Sequence, residues 1–224
     1  MNAKSRAVLT EFLGTALFVF IGAGSVVANA ATNGGVTNVG IALAHGVGMA
    51  VLISSLMHIS GAHFNPAVSL GLFVAGKIDA RTLGRYVVAQ LVGGIVGAAL
   101  VRLLFNSAAV RTVSDGAPHV SLTITSIQAV GLEALLTFFL VSAVFGTAVS
   151  SHAPKIGGFG IGLAIFVSAL VAGGLTGAML NPARAFGPAV VAWTFYAQAV
   201  YWFGPAIGGA AAGLVWKFLL PDKG

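Results

Sequence analysis

GLTGAMLNPARAFGP, residues 174–188, sets an arginine among small and apolar residues in a chain of 224 residues that is 58% hydrophobic and 7% charged. In a soluble domain about a quarter of the residues carry charge, so this composition belongs to a protein of the bilayer. Stretches such as 12–27 and 129–149 hold no charge apart from Glu133, and spans of about 20 residues crossing about 30 Å of hydrocarbon are the natural reading. Placing a charge at the centre of such a span costs at least about 2.5–3.5 kcal/mol on insertion scales, so Arg184 has to face protein carbonyls or an aqueous path. The plainer alternative is an interfacial arginine reaching out to headgroups.

Windows of this length give six full spans, at 8–29, 38–59, 82–105, 126–148, 157–176 and 197–219. Two apolar pieces are left over, NPAVSLGLFVAG (65–76) and NPARAFGPAVVAW (181–193). As helices of about 12 residues they reach only about 18 Å, too short to cross. They correspond to each other. Aligning Asn65 with Asn181 sets Gln90–Gly94 against Pro205–Gly209, and Glu11 and Thr15 match Glu133 and Thr137. The chain therefore reads as one membrane domain over 1–224 built from two repeats, about 1–115 and 116–224. With three full spans in each, the repeats enter the membrane from opposite sides, and so do the two short pieces.

Charge in the short loops gives the orientation. Lys4, Arg6, Lys77, Arg81, Arg85, Lys155, Lys217 and Lys223 fall on one side, and Arg102 and Arg111 on the other; both termini are expected in the cytoplasm. The net charge of +6 is thus a topology signal and not a nucleic-acid footprint. The N-terminal apolar run continues through a full span without a cleavage site, and it reads as a retained helix. Together with short tails, this suggests a prokaryotic plasma (inner) membrane. Cysteine is absent, which excludes disulfides and thiol chemistry. No nucleotide, metal or catalytic constellation is present, so neither an enzyme nor a cofactor is expected.

A half-helix with its loop is tolerable in lipid only where it is buried in protein or lines a watery cavity. Asn65-Pro66-Ala67 and Asn181-Pro182-Ala183 each place a capping Asn before a proline at the first helical position. One such tripeptide is merely a helix start. Two in matching places, each opening a half-length helix, point to a shared lumen at which two positive helix ends and two amide donors converge, with the amide hydrogens free for water. Cations are repelled there. A passing water accepts from both amides and is turned so that it cannot relay a proton. The paired motif breaks its own symmetry at one point: Val68 in the first copy is Arg184 in the second.

SGAHFNPAVSLG (60–71) and GAMLNPARAFGPAV (177–190) resemble the two signature loops of the aquaporin (major intrinsic protein) family, and the resemblance covers nearly the whole chain. It implies an all-α membrane fold, with six tilted transmembrane helices and two re-entrant half-helices in inverted repeats, assembled as a homotetramer in the lipid bilayer. It also implies a passive channel conducting water in single file, with selectivity set by pore width, lining donors and an arginine barrier. Carried over to this sequence, the constriction is His45, Ala169, Ala178 and Arg184. That set departs from strict water channels: His45 stands where an aromatic is usual and Ala169 where a histidine is usual. It looks more like plant vacuolar relatives, many of which also pass ammonia, so ammonia or other small neutral solutes are expected beside water. His45 as a buried histidine bonded within the bundle stays open as an alternative.

A glycerol facilitator is the nearer rival reading. Against it, Ala185 follows Arg184 where an Asp is usual, and Tyr201-Trp202 stand ahead of Gly204 where a proline pair is usual. The more distant rival is an ion-coupled transporter with inverted repeats and broken helices. The resemblance further implies that the carbonyls of Gly61, Ala62, His63 and Phe64, and of Gly177, Ala178 and Met179, line the pore. Glu11 and Glu133 would brace these loops. His119, in the long outer loop, would extend the constriction or stand as an ordinary exposed residue.

Overall fold

The computed structural model describes residues 1–220, so Lys223, one of the charges used for orientation, lies outside the described residues. Among these the fold is entirely helical: α1 Ala3–Ala31, α2 Thr37–Ser60, α3 Pro66–Val74, α4 Ala80–Leu104, α5 Ser107–Thr112, α6 Ser126–Val144, α7 Phe159–Ala172, α8 Pro182–Ala192 and α9 Gln198–Leu219. Polar residues start most of them. Asn2, Asp79 and Asn106 accept backbone N–H groups at the heads of α1, α4 and α5, and Thr125 with Gln128 forms a capping box at the head of α6. Gly61 closes α2 in the left-handed conformation at φ 85°, which favours a residue without a Cβ.

The helices of spanning length are α1, α2, α4, α9 and α6, the last extended by a π-turn over Phe145–Val149. The fifth expected span is shorter than its hydropathy suggested. α7 has 14 residues against the expected 157–176, or about 21 Å of helix. Paired glycines flank it: Gly157-Gly158 precede the helix, and from Gly173-Gly174 the chain continues in turns to Thr176. α3 and α8, with 9 and 11 residues, are half-length, as their sequence implied.

Close packing relies on missing side chains. At Gly93 and Gly97 of α4 a Cβ would run into the backbone of Phe12 and Ala16 on α1, and at Gly204 and Gly208 of α9 into α6. The opposite faces of the same helices hold the half-helices. Gly94 meets the backbone of Ala183 and Gly187 on α8, and Gly209 and Gly213 meet Ala67 and Gly71 on α3. The spacing of four that permits close crossing therefore serves different partners in the two places. α1–α4 and α6–α9 form the tight helix pairs, and each half-helix lies in the groove of the pair from the other half. Outward, leucines and valines repeat every four residues, as at Leu9, Leu13, Leu17 on α1 and Leu43, Val47, Val51 on α2. These exposed stripes suit lipid or another apolar surface, not water.

Candidate functional site

α3 and α8 meet with their N-termini at a lumen lined by both Asn65 and Asn181. Each asparagine does two jobs. Its oxygen caps its own helix, with Ala67 N donating to Asn65 at 2.8 Å, and Ala183 N and Arg184 N donating to Asn181 at 2.9 and 3.2 Å. Its amide reaches across to the other loop: Asn65 Nδ2 donates to the Leu180 carbonyl at 2.8 Å, and Asn181 Nδ2 to the Phe64 carbonyl at 2.9 Å. This corrects the expectation of free amides, because one hydrogen of each NH2 ties the two loops together. The second hydrogen remains for the lumen.

The Phe64 carbonyl, expected at the pore, is the acceptor of that cross-link, and Phe64 is fully buried and does not line the lumen. Gly61, Ala62 and His63 do line it, as do Gly177, Ala178, Met179 and Leu180. The two loops share a backbone pattern. Gly61, Ala62 and Phe64 have φ of 85°, 51° and 51°, and Gly177, Ala178 and Leu180 have 81°, 44° and 53°. Left-handed backbone at residues other than glycine costs of order 1–3 kcal/mol each and persists only where the surroundings impose it.

Two buried carboxylates supply that constraint. Glu11 accepts from the Ser60 hydroxyl at 2.7 Å, His63 N at 3.0 Å, Phe64 N at 2.7 Å and Gln90 Nε2 at 2.8 Å. Glu133 accepts from the Thr176 hydroxyl at 2.6 Å, Met179 N at 3.0 Å and Leu180 N at 2.7 Å. The sets match position by position, except that Gln90 has no counterpart. His63 Nδ1 sits 3.0 Å from the Ser69 hydroxyl, with its ring edge against Tyr86.

His45, Ala169, Ala178 and Arg184 border one cavity of about 880 Å3, which also takes in His119 at the exposed outer end. Arg184 is 2% exposed. Its Nε donates to His45 Nε2 at 3.3 Å and its Nη1 to the Gly116 carbonyl at 3.0 Å. His45 Nδ1 lies 2.9 Å from the Ile41 carbonyl. An acceptor on one side and a guanidinium donor on the other assign the neutral, Nδ1-protonated tautomer from the network. His45 therefore both lines the lumen and is bonded within the bundle, so the two readings left open are combined. His119 makes no side-chain hydrogen bond among the described residues.

Residues that the sequence did not single out complete this arrangement. A Cβ on Gly22 of α1 would lie 2.5 Å from His45 Nε2 and 3.2 Å from Arg184 Nε; the pair occupies the space that this glycine leaves. Gly116 supplies the carbonyl that holds the guanidinium. Neither carries a signal in a single sequence, since both roles come from contacts across more than twenty positions.

The defining pattern of the major intrinsic protein family matches residues 1–216. The chain belongs to the major intrinsic protein family. Among relatives of this family member, "Aquaporin TIP4-4" of Zea mays is 42% identical, with 98% of this chain and 88% of the relative covered. "Aquaporin-8" of Mus musculus is 39% identical, over 96% and 82%. Among solved structures, the X-ray structure of the aquaglyceroporin from Plasmodium falciparum superposes with a TM-score of 0.82 at 26% identity, covering 96% of both chains. The all-α bundle, the multi-pass placement in a membrane and the absence of an enzymatic role agree with this membership.

Proposed function

We propose that the protein is a passive channel for water, passing molecules in single file through a lumen of its own and turning back protons and cations. The reciprocal bonds between Asn65 and Leu180 and between Asn181 and Phe64 carry this reading, because they hold two helix N-termini nose to nose at the lumen. Each end presents about half a positive charge. A water between them accepts from the free hydrogen of each amide and turns its own hydrogens outward, which breaks the donor chain that proton hopping needs. At the outer side, His45, Ala169, Ala178 and Arg184 form the constriction. There Arg184 adds a full positive charge, and its Nη2, which has no protein acceptor among the described residues, can orient the entering molecule.

The inner half is lined by Met49, Ile53, Val68, Leu72, Leu140 and Ile165, an apolar wall that gives water little to bind. Glu11 and Glu133 brace the loops. Their oxygens are already filled by N–H and O–H donors, which argues against an ion-coupled transporter using them as proton carriers. In the constriction Ala169 and Ala178 leave room, and this favours a second activity toward ammonia and other small neutral solutes; relatives named as an aquaporin and an aquaglyceroporin fit that range.

The proposal includes one domain of two inverted repeats, both described ends of the chain on the cytoplasmic side where cationic loops dominate, and a homotetramer that covers part of the apolar stripes. The relatives named above come from a plant, a mouse and a malaria parasite, and they lend nothing to a prokaryotic plasma membrane. Stopped-flow light scattering on proteoliposomes with water, ammonia, urea and glycerol tests the assignment. Rapid water flux with a low activation energy and no dependence on an ion gradient is expected. Saturable flux that follows an ion gradient would overturn it.

A further inference from the structure

One ion pair at the outer mouth has no part in the reading above. Arg102, at the end of α4, grips Asp115 with two parallel bonds, Nε to Oδ1 at 2.9 Å and Nη2 to Oδ2 at 2.6 Å. The two ends differ in environment, since the Arg102 side chain is 51% exposed and that of Asp115 is 2% exposed. Asp115 lies within a tight turn, Ser114–Gly116, whose three residues all have positive φ of 47°, 57° and 74°. Consecutive left-handed residues are unusual in an L-chain, and such a turn needs outside support to hold its shape.

The next carbonyl along, that of Gly116, accepts from Arg184 Nη1 at 3.0 Å. The turn is seated so closely on α1 that a Cβ on Gly116 would lie 2.9 Å from Ala23 Cβ. A series of contacts therefore runs from the outer end of α4 to the constriction: Arg102, Asp115, the Gly116 carbonyl, Arg184, His45.

We propose that the Arg102–Asp115 pair is a positioning clamp for the constriction, fixing the turn whose Gly116 carbonyl sets where the Arg184 guanidinium sits in the lumen. The inference rests on the channel reading. It makes Arg102 and Asp115 determinants of selectivity, although neither lines the lumen. The pairing also serves electrostatics. A buried carboxylate left bare next to the arginine barrier would draw cations toward the mouth, and a bidentate guanidinium cancels its field at short range. An aliphatic substitute would leave the carbonyl free to swing away. Arg184 would then be held by His45 alone.

The test compares wild type, Asp115→Asn, Arg102→Met, the double variant and Arg184→Ala in proteoliposomes. It reads the ratio of urea to water permeability and the proton leak, with melting temperature and monodispersity in detergent measured alongside. Each single variant is expected to raise the ratio several-fold in the same direction as Arg184→Ala. The double variant is expected to stay altered, because the tether is gone even though the charges are balanced. Asp115→Asn keeps the size of the side chain and one acceptor, so it serves if Arg102→Met does not fold.

A lowered melting temperature with a wild-type ratio would make the pair merely structural and overturn the clamp. A double variant that returns to the wild-type ratio would do the same, reducing the effect to stray charge. A wild type that passes no water overturns the channel reading itself. A channel that responds to Arg184→Ala but to neither single variant overturns the clamp alone.

Discussion

Arg184 could be found in the sequence because it breaks a repeat: where one half has Val68 the other has a charge, and packing alone gives no reason for the difference. What holds it could not be found there. His45, Gly22 and Gly116 reach it from α2, α1 and the outer loop, and only tertiary structure brings them together. Gly22 gives the sharpest residue-scale prediction. A methyl there would press on His45 Nε2, and the imidazole cannot step aside without giving up Ile41 or Arg184. Gly22→Ala is therefore expected to lower water permeability several-fold and to shift the urea-to-water ratio, with little change in expression. Stopped-flow traces checked against the amount of reconstituted protein decide it; a wild-type rate would show that the pair is free to move.

At the scale of elements, α3 and α8 were legible from an Asn-Pro start followed by too few apolar residues to cross, a purely local signal. Two element-scale details were not. α7 is shortened by flanking glycine pairs that hydropathy averages away, and the Phe64 carbonyl is turned from the pore to the Asn181 amide by a contact 117 positions long. The loops that lead into the half-helices depend on their carboxylates. Replacing Glu11 or Glu133 by Gln substitutes an amide for an acceptor and leaves buried N–H groups facing it, at a cost of at least about 2 kcal/mol. Both variants should melt several degrees below wild type in detergent. Glu11→Gln should melt lowest, because Glu11 also serves the Gln90 amide. Equal stability of all three proteins would mean that the loops are held by other contacts.

At the scale of the whole molecule, composition and the length of the apolar runs made the class of fold readable, because lipid admits only segments whose backbone groups are satisfied internally, as in helices or closed barrels, and runs of about 20 residues suit helices; the inversion of the two halves stays part of the proposal. The N-termini of α3 and α8 are tied together at one lumen, and Arg184 stands on α8 where α3 carries Val68. Since the chain contains no cysteine, mercurials are expected to leave the water flux intact in the same vesicles.

The central claim is electrostatic: positive helix ends and one guanidinium let neutral molecules pass and turn back charge. Proton flux under an imposed pH gradient, measured together with osmotic water flux on the same proteoliposomes, tests it most directly when wild type and Arg184→Ala are compared. The account predicts fast water with no proton leak above empty vesicles for wild type, and a measurable proton or cation leak once Arg184 is gone. Protons accompanying water through the wild type, or an Arg184→Ala channel as tight as its parent, would contradict it.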